Sequence, residues 1–483
     1  MTEAPGEHPI VLATVVARYS HTAFGQRCIE ANMGLLRPRC RCFEFTPDDS
    51  PAEMAEAILA CNPGVVGLGA YIWNADTIRR LARLLKRLRP ALWVVVGGPE
   101  TWSGSAAADY AADYLVRGEG EAAFPTLCVK LLKNAPPQGR MITPPPCDLN
   151  TLALPHAAST DEDIAHRVLY VETSRGCLGR CAFCVSAREH KMRFFPLPPF
   201  FAAMTALLAR GARRFKFVDR TFNARADRFH AVLEFFLERW QPGMELHLEL
   251  HPELLSDAMV EMLARFPRNG LHLEVGVQSL TPATLDAVQR PQSPDRALTV
   301  LHTLRKSTGA RVHADLIAGL PGEGLAAFAA GFDRLISTGI PEIQVGILKR
   351  LPGSPMDQTP PEGALFSTEP PYEVLQTKEL SFFTLQRLKR FSRHFDRYFN
   401  CGAFPRAMEL VFATKASAFE AFLLLSAETW EATGKSWGLS IETRAACLQR
   451  YLEAHTSQDA EDIARVIADD IARRPRGVSG ADV

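Results

Sequence analysis

The chain has 483 residues, 47% of them apolar, enough to fill the cores of two or three domains. Lysine plus arginine and aspartate plus glutamate number 54 each, a balance that argues against a role in coating nucleic acid. Eleven scattered cysteines lack the density of a secreted disulfide scaffold and point to a reducing cytoplasm; MTEAPGEHP is no signal peptide and no apolar run approaches a membrane span.

Across residues 1–133 apolar strand patterns alternate with helical ones. Strands are predicted at 10–16, 41–45, 65–70, 92–96 and 114–116, and helices at 23–36, 51–60, 75–88 and 121–132. Five such units predict a doubly wound, Rossmann-like parallel sheet that binds ligands at the carboxyl ends of its strands. The unusual residues fall there: Arg18-Tyr19-Ser20-His21, Tyr71-Ile72-Trp73-Asn74, Gly97-Gly98-Pro99-Glu100 and Arg117-Gly118-Glu119-Gly120-Glu121. Each glycine loop alone is a plain tight turn. Four special loops on one rim point instead to a ligand site, where the glycines let backbone N–H groups approach a large polar ligand. Cys28, Cys40, Cys42, Cys61 and Cys128 are scattered over helices and one strand start, where burial or plain exposure is the default reading.

Residues 134–166 carry APPQ and TPPP, too much proline for a helix or a central strand, and read as a linker. Over 167–359 six apolar strands recur with helices between them, at 168–173, 215–219, 245–250, 271–278, 312–318 and 343–348. They predict a parallel, partial (β/α)6 barrel with its chemistry at the carboxyl ends of the strands. Directly after the first of them come Cys177, Cys181 and Cys184, spaced C-x3-C-x2-C. Three thiolates on one loop suit a [4Fe-4S] cluster whose fourth iron stays open. Structural zinc prefers four ligands in paired groups, and His190 is the one imidazole near. Phe183 is placed to shield the cluster from water. Carboxylates such as Asp219, Glu249 and Asp315 end other strands, where helix capping is the ordinary explanation. Glu274, inside an apolar strand pattern, needs a partner such as Arg290 or a ribose hydroxyl.

Residues 360–472 are predicted as helical, with helices at 379–399, 406–425, 441–454 and 459–472, and 473–483 as a disordered tail. Phe382, Phe383, Phe391, Phe395, Trp430 and Trp437 read as packing at helical spacing, or as a cover for the barrel mouth.

The cysteine spacing, with an aromatic before the last cysteine, resembles the signature of the radical S-adenosylmethionine superfamily. GLGAYIWN, VVVGGPET and VRGEGE resemble the cobalamin-binding domain found ahead of many such enzymes, and F-x-D-x-x-F, E-x-G-x-Q-S, D-x-I-x-G-L-P-G-E and L-P-G-S-P resemble the barrel of the cobalamin-dependent ones. The helical tail resembles the accessory domain, of unknown function, in one branch. The resemblance implies three cofactors: a [4Fe-4S] cluster on Cys177, Cys181 and Cys184, S-adenosyl-L-methionine on its open iron, and cobalamin. It implies that Asp219 or its neighbours hold the amino group of S-adenosylmethionine, and that Glu274, Gln278 and Gly319, with Arg290 nearby, lie along its ribose and adenine. It sets Gly97, Gly98, Gly118 and Glu119 against the corrinoid, with Tyr19, His21 and Glu100 on the same rim and Tyr71 or Trp73 over the lower cobalt face. The D-x-H-x-x-G of methyltransferase carriers is absent, so His21 reads as polar lining rather than a cobalt ligand. Methylthiotransferases carry three further cluster cysteines in their first domain, which this chain does not match. The implied activity is methylation of an unactivated carbon in an unidentified small molecule or peptide, fed by a reductant such as flavodoxin or ferredoxin, with neither nucleic acid nor membrane as partner. The same cofactors also serve non-methylating rearrangement or ring chemistry, and a non-catalytic corrinoid- and iron–sulfur-binding protein is the third reading.

Overall fold

In the computed structural model, residues 9–102, 109–189 and 191–473 are described. His190 and residues 474–483, all but the first of the tail expected over 473–483, lie outside them. The first sheet has six parallel strands, in spatial order Cys40–Phe45, Ile10–Val15, Val65–Gly69, Trp93–Gly97, Tyr114–Val116 and Met141–Ile142. Its apolar strands are buried on both faces, with one core cluster around Val11, Val66 and Val94 and another around Ile10, Val65 and Val95. This is the pattern of a sheet covered by helices on both sides.

The sixth strand corrects the expected five. It comes from the proline-rich stretch, where two residues fit before the TPPP run. An edge needs ladder bonds on one side alone, so a strand this short suffices: Leu115 N–H donates to Arg140 O and Arg117 N–H to Ile142 O, both at 2.8 Å.

The second sheet also has six parallel strands, ordered Leu169–Val171, Arg214–Phe217, Glu245–Leu250, Leu271–Gln278, Arg311–Ala318 and Glu342–Ile347. The first and last strands do not pair, so the barrel is partial. Alternation along each strand splits the residues by face. Leu246, Leu248, Leu273, Val275 and Val312 are buried in the core under the helices. The opposite face carries Lys216, His247, Glu249, His272, Glu274, His313, Asp315 and Glu342, in register with one another across the strands. Barrels of this class usually fill the lumen with branched apolar side chains; this lumen is polar.

Five helices follow: Phe382–Phe395, Pro405–Ala413, Ala418–Thr433, Ile441–His455 and Ala460–Ala472. They cover the open edge of the last barrel strand. The Asn400 side chain donates to Ile343 O and accepts from Ile343 N–H, each at 3.0 Å, occupying edge groups that would otherwise invite another strand. Phe391, Phe395, Phe419 and Phe422 pack there with Phe332 rather than over the barrel mouth. One expectation changes. The helix expected over 406–425 is two helices bent by 109°, because Ser417 caps a new start by accepting from Glu420 N–H. A small antiparallel pair, Leu365–Phe366 with Val374–Gln376, precedes the helices of the region expected to be dominated by helix. Among the described residues, no single helix is long and apolar enough to cross a membrane.

Candidate functional site

The cysteine loop leaves the first barrel strand through Ser174 and Arg175 and turns at Gly176. Gly176 has φ +91°, and a Cβ there would lie 2.7 Å from Lys191 O, so the turn requires glycine. Cys177 and Cys181 converge around Gly179, whose position is flanked by both sulfurs: a Cβ there would meet Cys181 Sγ at 3.5 Å and Cys177 Sγ at 3.6 Å. Gly179 N–H donates to Cys177 Sγ at 3.3 Å, Thr221 Oγ1 lies 3.5 Å from the same sulfur, and Arg290 Nη1 is 3.6 Å from Cys181 Sγ. Burial pushes the Cys181 thiol up, and the Arg290 guanidinium opposes it. A soft donor set, with N–H groups and a cation aimed at its sulfurs, is the chemistry of a thiolate-bound iron–sulfur cluster. The residues fit the group.

Asp219 is fully buried. Its carboxylate accepts from Thr173 N–H (2.9 Å), Thr173 Oγ1 (2.7 Å) and Ser174 Oγ (2.6 Å). It therefore anchors the base of the cysteine loop, with its oxygens engaged by Thr173 and Ser174. Arg290 does not pair with Glu274. It donates to Gly276 O at 2.5 Å and lies against Cys181, while Glu274 lies 3.1 Å from His247 Nε2. Gln278 sits at a register shift with φ +68°, its amide against Gly276. Gly319 has φ +93° and is packed against Val374, where a Cβ would be 2.8 Å from a methyl carbon. Its space is set by protein packing.

A cavity of about 670 Å³ opens between the carboxyl ends of the first sheet and this loop. His21, Tyr71, Trp73, Gly97, Gly98, Gly118 and Glu119 line one wall; Glu172, Arg175, Gly176, Arg188 and Arg220 line the other. Tyr71 and Trp73 stack with ring centroids 4.6 Å apart, and Trp73 Nε1 donates to Val15 O at 3.0 Å. His21 Nδ1 is 2.5 Å from Tyr170 Oη. The Glu119 carboxylate is engaged by protein groups, namely Arg193, Arg175 and Cys147 N–H, which hold it below the usual carboxylate range against the effect of burial.

Two rim residues are not in the cavity. Tyr19 is 48% exposed on the outer surface, donating to Glu162 at 2.7 Å with Arg167 over its ring. Glu100 is buried beneath the rim, accepting from Tyr372 Oη at 2.5 Å with Arg79 3.9 Å away. Its partner comes from a strand pair 272 residues later, which no local pattern reveals. Sequence reading also missed Arg175, Glu172 and Arg188. Charges flanking a glycine-opened cysteine loop were the available signal.

Gly98 gives a direct test of the rim. Its φ is +101°, and a Cβ would sit 2.4 Å from the Ala70 carbonyl oxygen. Gly98→Ala is expected to cost about 2–4 kcal/mol in thermal or denaturant unfolding and to lower bound corrinoid per chain, because the backbone must retreat. Wild-type stability and loading in this variant would show that the turn tolerates displacement.

Comparison with known proteins follows the same division of the chain. Residues 171–334 match the radical SAM superfamily, residues 10–128 a B12 binding domain, and residues 363–475 a protein of unknown function (DUF4080). The ribosomal protein uS12 methylthiotransferase RimO of Chloroflexus aurantiacus is 26% identical over 200 residues, covering 40% of this chain and 44% of that protein. The 2-(S-pantetheinyl)-carbapenam-3-carboxylate methyltransferase of Streptantibioticus cattleyicolor is 32% identical over 178 residues, covering 30% of this chain and 25% of that protein. The chain thus spans less than half the length of these relatives. In fold it is similar to the radical S-adenosylmethionine methyltransferase TsrM from Kitasatospora setae, with cobalamin and a [4Fe-4S] cluster bound (TM-score 0.62, 15% identity, 96% of this chain and 100% of that one). It is also similar to the cobalamin-dependent S-adenosylmethionine radical enzyme OxsB with aqua-cobalamin and S-adenosylmethionine bound (TM-score 0.64, 12% identity, 96% and 81%).

Proposed function

We propose that this chain, which belongs to the cobalamin-binding branch of the radical S-adenosylmethionine superfamily that carries the DUF4080 domain, is a methyltransferase acting on an unactivated carbon of a small molecule. One observation carries the reading: the residues flanking the three-cysteine loop, Arg175 and Gly176 before it and Val185 and Ser186 after it, line the same cavity of about 670 Å³ as the glycine rim of the first sheet. A site for radical generation and a site for a methyl carrier then share one reaction space. When bound, the cluster with S-adenosylmethionine supplies hydrogen abstraction, and the corrinoid supplies the methyl group.

The protein's own part is placement. Cys177, Cys181 and Cys184 would hold the cluster, with Gly179 N–H and Arg290 offsetting charge on the sulfurs. Asp219 fixes the loop's base through Thr173 and Ser174. Gly97, Gly98 and Gly118 leave backbone room for the corrinoid, and Tyr71 with Trp73 offers it an apolar, pre-stacked surface. His21 is held by Tyr170, which favours a lining role over cobalt ligation. Glu274 and Gln278 stand where S-adenosylmethionine or substrate hydroxyls would enter the lumen. We place the end of the corrinoid domain past Ile142, since the sixth strand completes its sheet. An electron donor of the flavodoxin or ferredoxin class completes the system.

The test is reductive incubation of the holoenzyme with methyl-deuterated S-adenosylmethionine and a low-mass cell extract. Formation of both S-adenosylhomocysteine and 5′-deoxyadenosine, with label in one extract component, is expected. Deoxyadenosine without S-adenosylhomocysteine or labelled product would rule out methyl transfer and favour rearrangement or ring chemistry.

A further inference from the structure

The amino-terminal end of the barrel lumen holds a side-chain cluster that the cysteine chemistry does not use. His272 is the second residue of its strand, His313 the third of the next, and Glu342 the first of the last. Register sets His313 directly opposite Glu342, and His272 one strand away beside Arg311. The cysteine loop lies at the other, carboxyl end of the strands. All three residues are buried, at 9%, 3% and 1% exposure.

Their donor atoms converge. One atom from each residue can be chosen so that all lie within 4.8 Å of one another. His272 Nε2 is 3.7 Å from Glu342 Oε2, and His313 Nδ1 is 3.7 Å from Glu342 Oε1. These gaps exceed hydrogen-bond length; His272 Nε2, His313 Nδ1 and Glu342 Oε1 have no hydrogen-bond partner, and Glu342 Oε2 has only its ion pair with Arg311. Buried polar atoms are nearly always paired, so three unpaired ones facing each other need a cause. Ligand atoms held about 2.0–2.2 Å from a tetrahedral zinc ion stand roughly 3.3–3.6 Å apart. The two 3.7 Å gaps need to close by a few tenths of an ångström, and the full three-atom set, within 4.8 Å, by up to about 1.5 Å.

The surroundings suit such an ion. His313 Nε2 lies 3.0 Å from Asp315 Oδ1, outside hydrogen-bond geometry but near enough for the carboxylate to orient the imidazole after a small ring turn, leaving its other nitrogen for the metal. One competitor is present: Arg311 Nη2 is 2.6 Å from Glu342 Oε2. Its side chain is 39% exposed and can turn to solvent, which the buried histidines cannot. Two imidazoles and one carboxylate form the donor set of an open zinc site.

We propose that His272, His313 and Glu342 bind one divalent transition-metal ion, zinc by its donor set, joining the last three strands of the open barrel. The site is independent of the iron–sulfur cluster, and its test reads metal rather than turnover.

The holoenzyme is purified anaerobically from a zinc-supplied host and passed over chelating resin. Metals per chain are then measured, with X-ray absorption at the zinc edge. About one zinc per chain is expected, in a nitrogen and oxygen shell near 2.0–2.1 Å with imidazole outer scattering. His272→Ala and Glu342→Gln should drop zinc at least fivefold while iron stays unchanged. His272→Cys, which keeps a ligand, should retain zinc and add one sulfur near 2.3 Å, so the proposal stays testable if the alanine variant fails to fold. Wild-type protein without zinc would make this an ion-pair cluster with Arg311. Zinc that persists in every variant, or a sulfur-dominated shell in the wild type, would place the ion on cysteines and overturn the proposal.

Discussion

Replacing Cys177, Cys181 or Cys184 singly by alanine is expected to reduce iron from about four per chain to a small fraction of that and to abolish reductive cleavage of S-adenosylmethionine, because two thiolates do not hold a cubic cluster. The effect should be specific to these positions. Cys61, whose Sγ donates back to Ala57 O at the end of helix Pro51–Ala60, has its thiol pushed up by burial and is remote from the loop. Cys61→Ala should keep wild-type iron. Stability separates loss of the cluster from loss of the fold. Cys177 and Cys184 are only partly buried, so their alanine variants should unfold within about 1 kcal/mol of the wild-type apoprotein. Arg290→Gln makes a finer cut. It removes a cation 3.6 Å from Cys181 Sγ but no ligand. Iron should remain, and the cluster's reduction potential should fall, since positive charge near the sulfurs favours the more negative, reduced state. Full iron and activity in all three cysteine variants would refute the assignment of the loop.

The cysteine loop was legible because its signal is local: three thiols at fixed spacing and a glycine at the turn. Strand order was legible for a similar reason, since buried parallel strands such as Val94–Val96 read as unbroken apolar runs. What was not legible was side-chain direction. Asp219 and Glu100 are carboxylates at strand ends, as a ligand contact would require, but each turns inward to partners that sequence does not place beside it: Thr173 and Ser174 for one, Tyr372 for the other. Tyr19 turns the opposite way, outward to Glu162. The polar lumen was present in the sequence as alternation, L-H-L-E-L, L-H-L-E-V and V-H-A-D-L, with polar residues on every second position of three strands. Only Glu274 was read as a charge within a strand. Seen together, the three strands predict one polar face, and register does the rest by setting His313 against Glu342.

Arg175→Met is expected to be the most damaging change outside the cysteines. Arg175 precedes the loop's glycine turn, and its guanidinium reaches Glu119 (3.1 Å) and Glu121 (2.6 Å) on the first sheet's rim and Glu172 (2.7 Å) on the barrel side. The side chains are between 6% and 14% exposed. Removing the cation leaves buried carboxylates uncompensated, which typically costs about 3–5 kcal/mol. Glu119 keeps Arg193 and Cys147 N–H, so Glu172 and Glu121 bear most of the loss. The pH dependence follows from Glu172. Burial already pushes it from 4.5 up to about 7, with Arg175 pulling the other way. Without Arg175 its folded value rises further. Between the unfolded and folded values the folded state then binds a proton that the unfolded chain does not, so the variant loses stability as pH rises through that window. The deficit against wild type should be larger at pH 8 than at pH 6. Glu172→Gln in the Arg175→Met background should recover part of it at pH 8, about 1–2 kcal/mol, by removing the stranded charge. An equal deficit at both pH values would mean that lost packing against Phe195, 5.4 Å from the guanidinium carbon, outweighs the charge. The Arg175 guanidinium links the two walls of the cavity, alongside Arg193 on Glu119 and Tyr170 on His21. A variant that still loads iron and corrinoid but forms little product would therefore locate Arg175's contribution in the alignment of the walls rather than in the binding of either cofactor.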